Sequence, residues 1–384
     1  MIFEKLIKKR ITHIEKLKEK GRKIIGYFCC RFPVEIAFAL DLIPIRVFPI
    51  SGLYEQTGSE YIWERMCPFS RLTVGEFITK GTFLNKFVDI ISGAVICQVV
   101  HRILDILQVY LKKPTLILTY PLKRPLEQNH TKLFHLEIKW LKEELEKISG
   151  KKLDNLKLRN SIETYNKLRT QLIMLHSDYV EDKINIKYED FLKIIQLSQF
   201  LAPFETLKLI DKIKEKKYKK TKKISRDKKI IISGSMIIPG YDTIIKIIEE
   251  CGGKIVADDT CYGMRSLYEL TVKDYNIENI SEAYLNAPPC SATQCINYEK
   301  DEHINFLKEF INKYNPDGII YHTLRFCDPY SFKTNEIRDL FKNIPFLPLH
   351  TDVSISESQR VKTRIEAFLE SLTFKGEIYG RSVL

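Results

Sequence analysis

No stretch of about 18 consecutive apolar residues occurs in the sequence, so no membrane-spanning helix is expected. Residues Met1 to Lys23 lack the apolar core of a secretory signal. Instead Ile2, Leu6, Ile7, Ile11, Ile14 and Leu17 recur at helical spacing among charges of both signs. They are expected to form a helix packed as a lid on the first domain. No Cys-x2-Cys pair occurs among the nine cysteines, and Cys290 with Cys295 is the nearest approach, too loose for a zinc site. An odd cysteine count without a secretory signal argues for free thiols or metal ligands in a reducing, cytoplasmic compartment, not for a disulfide frame. No complete dinucleotide loop is present: Gly234-Ser235-Met236 is only a fragment of one, so no flavin or nicotinamide fingerprint stands. Internal repeats and low-complexity tracts of functional size are absent too.

What is present is a soluble, globular composition. The 384 residues are 44% hydrophobic and 29% charged. That is room for about two or three domains with ample core. Lys and Arg number 61 against 49 Asp and Glu, a net charge of +12. Such a balance attracts nucleic acid, an acidic protein or a phosphate-bearing substrate such as a coenzyme A thioester. Much of it is local, in the run KEKKYKKTKK from Lys214 to Lys223, which reads as a solvated helix end or linker. No nucleic-acid signature accompanies it, and no nucleic-acid partner is expected.

In chain order, Arg22–Phe28 reads as a strand, Cys29 to Pro33 as a turn, Val34–Leu40 as a helix started by Pro33, and Pro44–Phe48 as the next strand. This is a βαβ beginning. Val88–Ile91 and Thr115–Tyr120 follow as strands. From Leu126 to Lys223, Leu, Ile and Phe recur every three or four residues among Lys and Glu, a largely helical insert in which Trp140 and the leucine stripe are read as core. A second α/β pattern then begins with strands at Lys229–Gly234 and Lys254–Asp259. It continues with strands Gly318–His322 and Pro345–Asp352 and a final helix over Gln359–Leu372. The expected fold is therefore α/β: two Rossmann-like domains with a helical insert and a cleft between them. Residues 1–124 hold the first helix and the first α/β domain, 125–226 the helical region, and 227–384 the second α/β domain.

Three cysteines sit where such a fold places ligands, at loops or helix starts after a strand. Cys67 precedes Pro68 at the start of a helix, where free N–H groups favour a thiolate. Cys97 follows Ser92-Gly93-Ala94, and its spacing of four from His101 reads as packing. Cys327 heads Cys327-Asp328-Pro329 after the strand ending near His322. Three thiolates converging on a cleft suit an iron–sulfur cluster with one iron left open, although the spacing alone does not establish it. Glu35, in the first helical turn, is a weak catalytic candidate and reads better as a helix-dipole carboxylate. Asp258-Asp259-Thr260-Cys261 is a plausible site edge, and Cys29, Cys30 and Cys251 read as plain core or turn thiols.

Several stretches, spanning nearly the whole chain, resemble the family of 2-hydroxyacyl-CoA dehydratase and benzoyl-CoA reductase subunits. They are Gly26-Tyr27-Phe28-Cys29 with Pro33 and Glu35; Asp41 to Arg46; Cys67-Pro68-Phe69-Ser70-Arg71; Asp258-Asp259 with Gly263 and Arg265; Phe326 to Pro329; and Thr363 to Phe368. The resemblance implies a [4Fe-4S] cluster held by Cys67, Cys97 and Cys327, a second like subunit, and an ATP-dependent iron–sulfur activator protein. It also implies an acyl-CoA substrate, dehydrated through a ketyl radical and making the enzyme a lyase. Gln98 after Cys97 and His350 before Thr351-Asp352 depart from the acidic residues usual there, which leaves the substrate open. Cys261, Cys290 and Cys295 keep a second reading alive. Related double-cubane proteins carry more ligand cysteines and reduce small molecules, but they have two Cys-Pro motifs where this chain has one near residue 67. A benzoyl-CoA-reductase-like enzyme and a non-catalytic electron-transfer or scaffold protein also remain.

Overall fold

The structure is a computed structural model that describes residues 2–49, 52–124, 126–215, 228–241, 243–268, 270–295, 301–352 and 358–380. The first sheet is made by β1 (Ile24–Phe28), β2 (Ile43–Arg46), β3 (Ile90–Val95) and β4 (Thr115–Thr119), all parallel, in the order β2-β1-β3-β4. A two-residue strand, β5 (Lys123–Arg124), then pairs with the distant β8 (Gln294–Cys295). The second sheet is made by β6 (Lys228–Gly234), β7 (Gly253–Asp258), β9 (Gly318–Leu324) and β10 (Phe346–Thr351), also parallel, in the order β10-β9-β6-β7. Two parallel sheets with helices around them are the α/β architecture that the alternating pattern implied.

Parallel strands form here because both faces can be covered. In β1, Ile24 and Phe28 join a core with the helices Pro68–Ile78 and Gln98–Leu111, while Ile25 and Tyr27 join a larger core on the opposite face. That larger core runs on through the helices Gln128–Ser149, Asn155–Val180 and Tyr188–Ser198 into Ile230, Ile231 and Ile320 of the second sheet. The amino-terminal helix Ile2–Glu19 packs as expected. It buries Ile14, and Lys18 pairs with Asp89 at 2.6 Å just before β3.

The aromatic of the helical region departs from expectation. Gln128–Ser149 buries Phe134, Ile138, Leu141 and Leu145, one face at helical spacing. Trp140 lies off that face, 38% exposed, with Leu133 and Leu136 on a second apolar stripe. Both stripes look alike in sequence, and only one has a sheet to cover.

Glu35 ties the layers together. It sits in the short helix Val34–Ala39, fully buried, and pairs with Arg169 of the helix Asn155–Val180 at 2.6 Å. Tyr284, from the helix Ile277–Asn286, donates its hydroxyl to the other carboxylate oxygen at 2.8 Å. One carboxylate thus links three segments far apart in sequence. Removing one partner of a buried ion pair strands the other charge. Arg169→Met is therefore expected to lower the unfolding free energy by about 3–5 kcal/mol in urea denaturation, and adding Glu35→Gln to recover part of it. An unchanged midpoint in Arg169→Met would contradict this bracing role.

Candidate functional site

The chain returns across each sheet in a way that leaves a gap beyond the strand ends. In the first sheet β2 and β3 lie on opposite sides of β1; in the second, β7 and β9 lie on opposite sides of β6. Loops leaving such a switch point diverge and open a crevice. Both crevices face one cavity. The loop after β1 supplies Cys29, Cys30 and Arg31, and the loop after β3 supplies Ile96 and Cys97. From the second sheet come Ser235 and Met236 after β6, then Cys261, Tyr262 and Arg265 after β7, and Cys327, Pro329 and Tyr330 after β9. Cys290 completes the set of six thiols, and the remaining wall is mostly apolar.

Cys67, Cys97 and Cys327 share one local device: each caps the amino-terminal end of a helix, Pro68–Ile78, Gln98–Leu111 and Asp328–Ser331 respectively. Cys67 is buried beside the cavity, packed with Cys97 and Cys327 in one apolar cluster. Its helix is pinned by a close crossing with Glu55–Ser59. A Cβ on Gly75 would fall 1.8 Å from the Tyr54 carbonyl oxygen, and one on Gly58 1.8 Å from that of Arg71. Arg71 braces the preceding loop through Glu55 at 2.5 Å and the Glu64 carbonyl at 2.7 Å. Cys327 is set by a tight turn in which Phe326 takes a left-handed φ of 61°.

The three thiols feel one another. Burial pushes the Cys97 thiol up to about 12, and the like charge of Cys67 adds to the rise. Burial, then Cys67 and Cys97, holds the Cys327 thiol well above its usual range. For Cys67 the helix start was expected to favour a thiolate. The N–H groups of Ser70 and Phe69 and the Arg71 charge do pull in that direction, but burial outweighs them and the thiol is raised.

Cys29 and Cys30 are not the plain thiols that the sequence suggested. Cys29 has a left-handed φ of 68°, and both side chains line the cavity. The Cys30 thiol is held well below its usual range, first by a hydrogen bond from Cys29 and then by Arg31, Arg46 and Arg265, against the opposing effect of burial. The signal was present, a cysteine pair and an arginine directly after a strand, but a reading centred on Cys-Pro motifs passes over it. Arg46 and Arg265 stood in quoted motifs without a role.

The other candidates lie elsewhere. Glu35 is not among the cavity-lining residues, and both its oxygens are engaged. Asp258 accepts from Tyr188 at 2.6 Å, and Asp259 meets Ser233 at 3.0 Å and His303 at 3.1 Å, so these acids brace the strand end from within the core. His101 turns to Asp105, at 3.7 Å, and Cys251 stands 3.9 Å from Glu366. Cys261 and Cys290 are on the cavity, whereas the side chain of Cys295 lies outside the described residues.

The donor chemistry suits a soft, sulfur-bound group: thiols from both sheets, with no Asp or Glu among the described lining residues. Among the described residues no three His, Cys, Asp or Glu side chains form a ready-made single-ion group. A cubane spreads its ligating sulfurs over several irons, so its site is not built like that of a single ion. Cys67, Cys97 and Cys327 are the residues that could hold it. In metal-free protein at pH 7, iodoacetamide is expected to label Cys30 well before Cys97 or Cys327, since only its thiol is lowered. Equal labelling in peptide mass spectrometry would contradict that order.

Comparison with known proteins places the chain in a family. The family model described as 2-hydroxyglutaryl-CoA dehydratase, D-component, matches residues 29–372. The (R)-phenyllactyl-CoA dehydratase beta subunit of Clostridium sporogenes is 25% identical, over 96% of this chain and 97% of its own length. The (R)-2-hydroxyglutaryl-CoA dehydratase beta subunit of Acidaminococcus fermentans is 23% identical over 96% and 98%. A benzoyl-CoA reductase subunit of Thauera aromatica is 22% identical over 93% and 92%. With the match running from the Cys29 turn through most of the final helix, the chain belongs to the 2-hydroxyglutaryl-CoA dehydratase D-component family.

Proposed function

We propose that this protein is the iron–sulfur subunit of a 2-hydroxyacyl-CoA dehydratase-like enzyme, a lyase that removes water from an acyl-CoA thioester by radical chemistry. The observation that carries the reading is that Cys97 and Cys327, from the two sheets, line one apolar cavity at paired switch points, with Cys67 packed in the same cluster. Cys67, Cys97 and Cys327 would hold a [4Fe-4S] cluster. That group supplies a one-electron relay and a Lewis-acid iron when bound.

The protein's own part is positional. Phe28, Phe69, Val100 and Met236 give the cavity an apolar wall, and an apolar surround strengthens charge interactions inside it. The Val99 and Val100 N–H groups at Cys97, and that of Tyr330 at Cys327, favour the thiolate form that ligation requires. The names of the beta-subunit relatives support a second like subunit, and an ATP-dependent iron–sulfur activator is proposed as the electron source. The reducing compartment expected from the cysteines fits this chemistry; among the described residues no helix is long and apolar enough to cross a membrane.

A second reading rests on Cys261 and Cys290, which line the same cavity. They suit a double-cubane or other reductive enzyme, and the benzoyl-CoA reductase relative points the same way. Iron and sulfide analysis of anaerobically purified protein separates the two. About four of each per chain, lost in Cys327→Ala, is expected, and about eight would favour the double-cubane reading. No iron at all would overturn both.

A further inference from the structure

Among the described residues six arginines are almost wholly buried, and they fall into two sets. Three lie away from the thiol-lined cavity, and each has a carboxylate: Arg10 with Glu205 at 3.3 Å, Arg71 with Glu55 at 2.5 Å, and Arg169 with Glu35 at 2.6 Å. The other three, Arg31, Arg46 and Arg265, line the cavity, and among the described residues none is ion-paired to a carboxylate. They are 3%, 1% and 2% exposed, so water does not compensate their charge either.

Their partners are neutral. Arg31 donates to the carbonyls of Tyr284 at 3.4 Å and Ala287 at 2.9 Å, and also to that of Pro288. Arg46 donates to Gln199 and to the Cys261 carbonyl, both at 2.5 Å, and lies 3.7 Å from the centre of the Tyr262 ring. Arg265 faces the Tyr330 ring at 5.7 Å, and its Nε and Nη1 have no hydrogen-bond partner among the described residues. The Nε of Arg46 is likewise unmatched. Asp259 is the nearest acid in electrostatic reach of Arg265, but it is committed to Ser233, Gly234 and His303. A thiolate at Cys30 offsets one of the three charges. A buried guanidinium without a counter-ion is strongly unfavourable, and its planar fork matches a carboxylate.

We propose that Arg31, Arg46 and Arg265 make this cavity a binding site for a carboxylate carried on a short apolar skeleton. The apolar skeleton follows from the rest of the wall, Phe28, Phe69, Ile96 and Met236 among it. The site goes beyond the iron–sulfur reading, because the thiols that act on these arginines are Cys29, Cys30, Cys261 and Cys290, not the three that cap helices. It stands on charge and geometry whether or not a cluster is bound.

Titration calorimetry of the full anaerobic chain with butyrate and with its neutral amide, butyramide, tests it. Butyrate is expected to bind at least about tenfold more tightly, a factor that corresponds to about 1.4 kcal/mol. Arg265→Gln should abolish that preference and Arg265→Lys keep part of it. The wild-type comparison decides even if a variant fails to fold. Equal binding of the two, or binding of neither, would overturn the site. Inorganic phosphate competing as well as butyrate would overturn the carboxylate assignment. A second measure uses Cys30 as a reporter: iodoacetate should outpace iodoacetamide there, relative to their rates with glutathione, and a ratio equal to that of glutathione would count against the proposal.

Discussion

Everything at the site depends on two parallel sheets whose switch points face one another across the same cavity. A parallel strand must hand its chain to a helix at its carboxyl end, and the first residue of that helix stands at the sheet's mouth. Cys97 and Cys327 occupy that capping position, and Cys67 caps a helix reached from the first sheet through two short helices. The three thiols come from segments separated by tens to hundreds of residues, and it is the sheet order that brings them to one apolar cluster. The glycine crossing behind Cys67 and the left-handed turn before Cys327 then fix the approach of each.

Burial and charge pull the thiols in opposite directions. Cys67, Cys97 and Cys327 are driven toward the protonated form because they are desolvated, and neighbouring thiols add to the rise at Cys97 and Cys327. Binding of an iron–sulfur group there must expel protons, so the free energy of ligation is linked to pH. At Cys30 a hydrogen bond from Cys29, and after it the charges of Arg31, Arg46 and Arg265, outweigh burial and pull the thiol the other way. One cavity thus holds thiols suited to a soft metal group and guanidinium groups suited to an anion. These two characters would let it hold a redox centre and orient an organic acid at once.

Much of the fold was legible in the sequence. Buried parallel strands such as Gly318–Leu324 advertise themselves as continuous apolar runs, and Pro33 and Pro68 marked helix starts. The pairing of β5 with β8 was not legible, because two-residue strands carry no periodicity. Nor was the exposure of Trp140, since the helix Gln128–Ser149 has two apolar stripes and only packing decides between them. At the site, helix starts after strands and the family motifs pointed to Cys67, Cys97 and Cys327; the last two line the cavity and Cys67 packs with them. The sequence read Cys30 as a plain thiol and gave Arg46 and Arg265 no role; their meaning lies in charges left unpaired, a property of three dimensions alone.

The measurement that tests the central claim most directly is EPR of the anaerobically reduced protein, wild type beside Cys67→Ser, Cys97→Ser and Cys327→Ser. If one cluster bridges both sheets, each single substitution abolishes or reshapes the wild-type iron–sulfur signal. A wild-type signal that survives unchanged in any of the three would contradict ligation by that thiol, and with it the account of a cluster shared across the cavity.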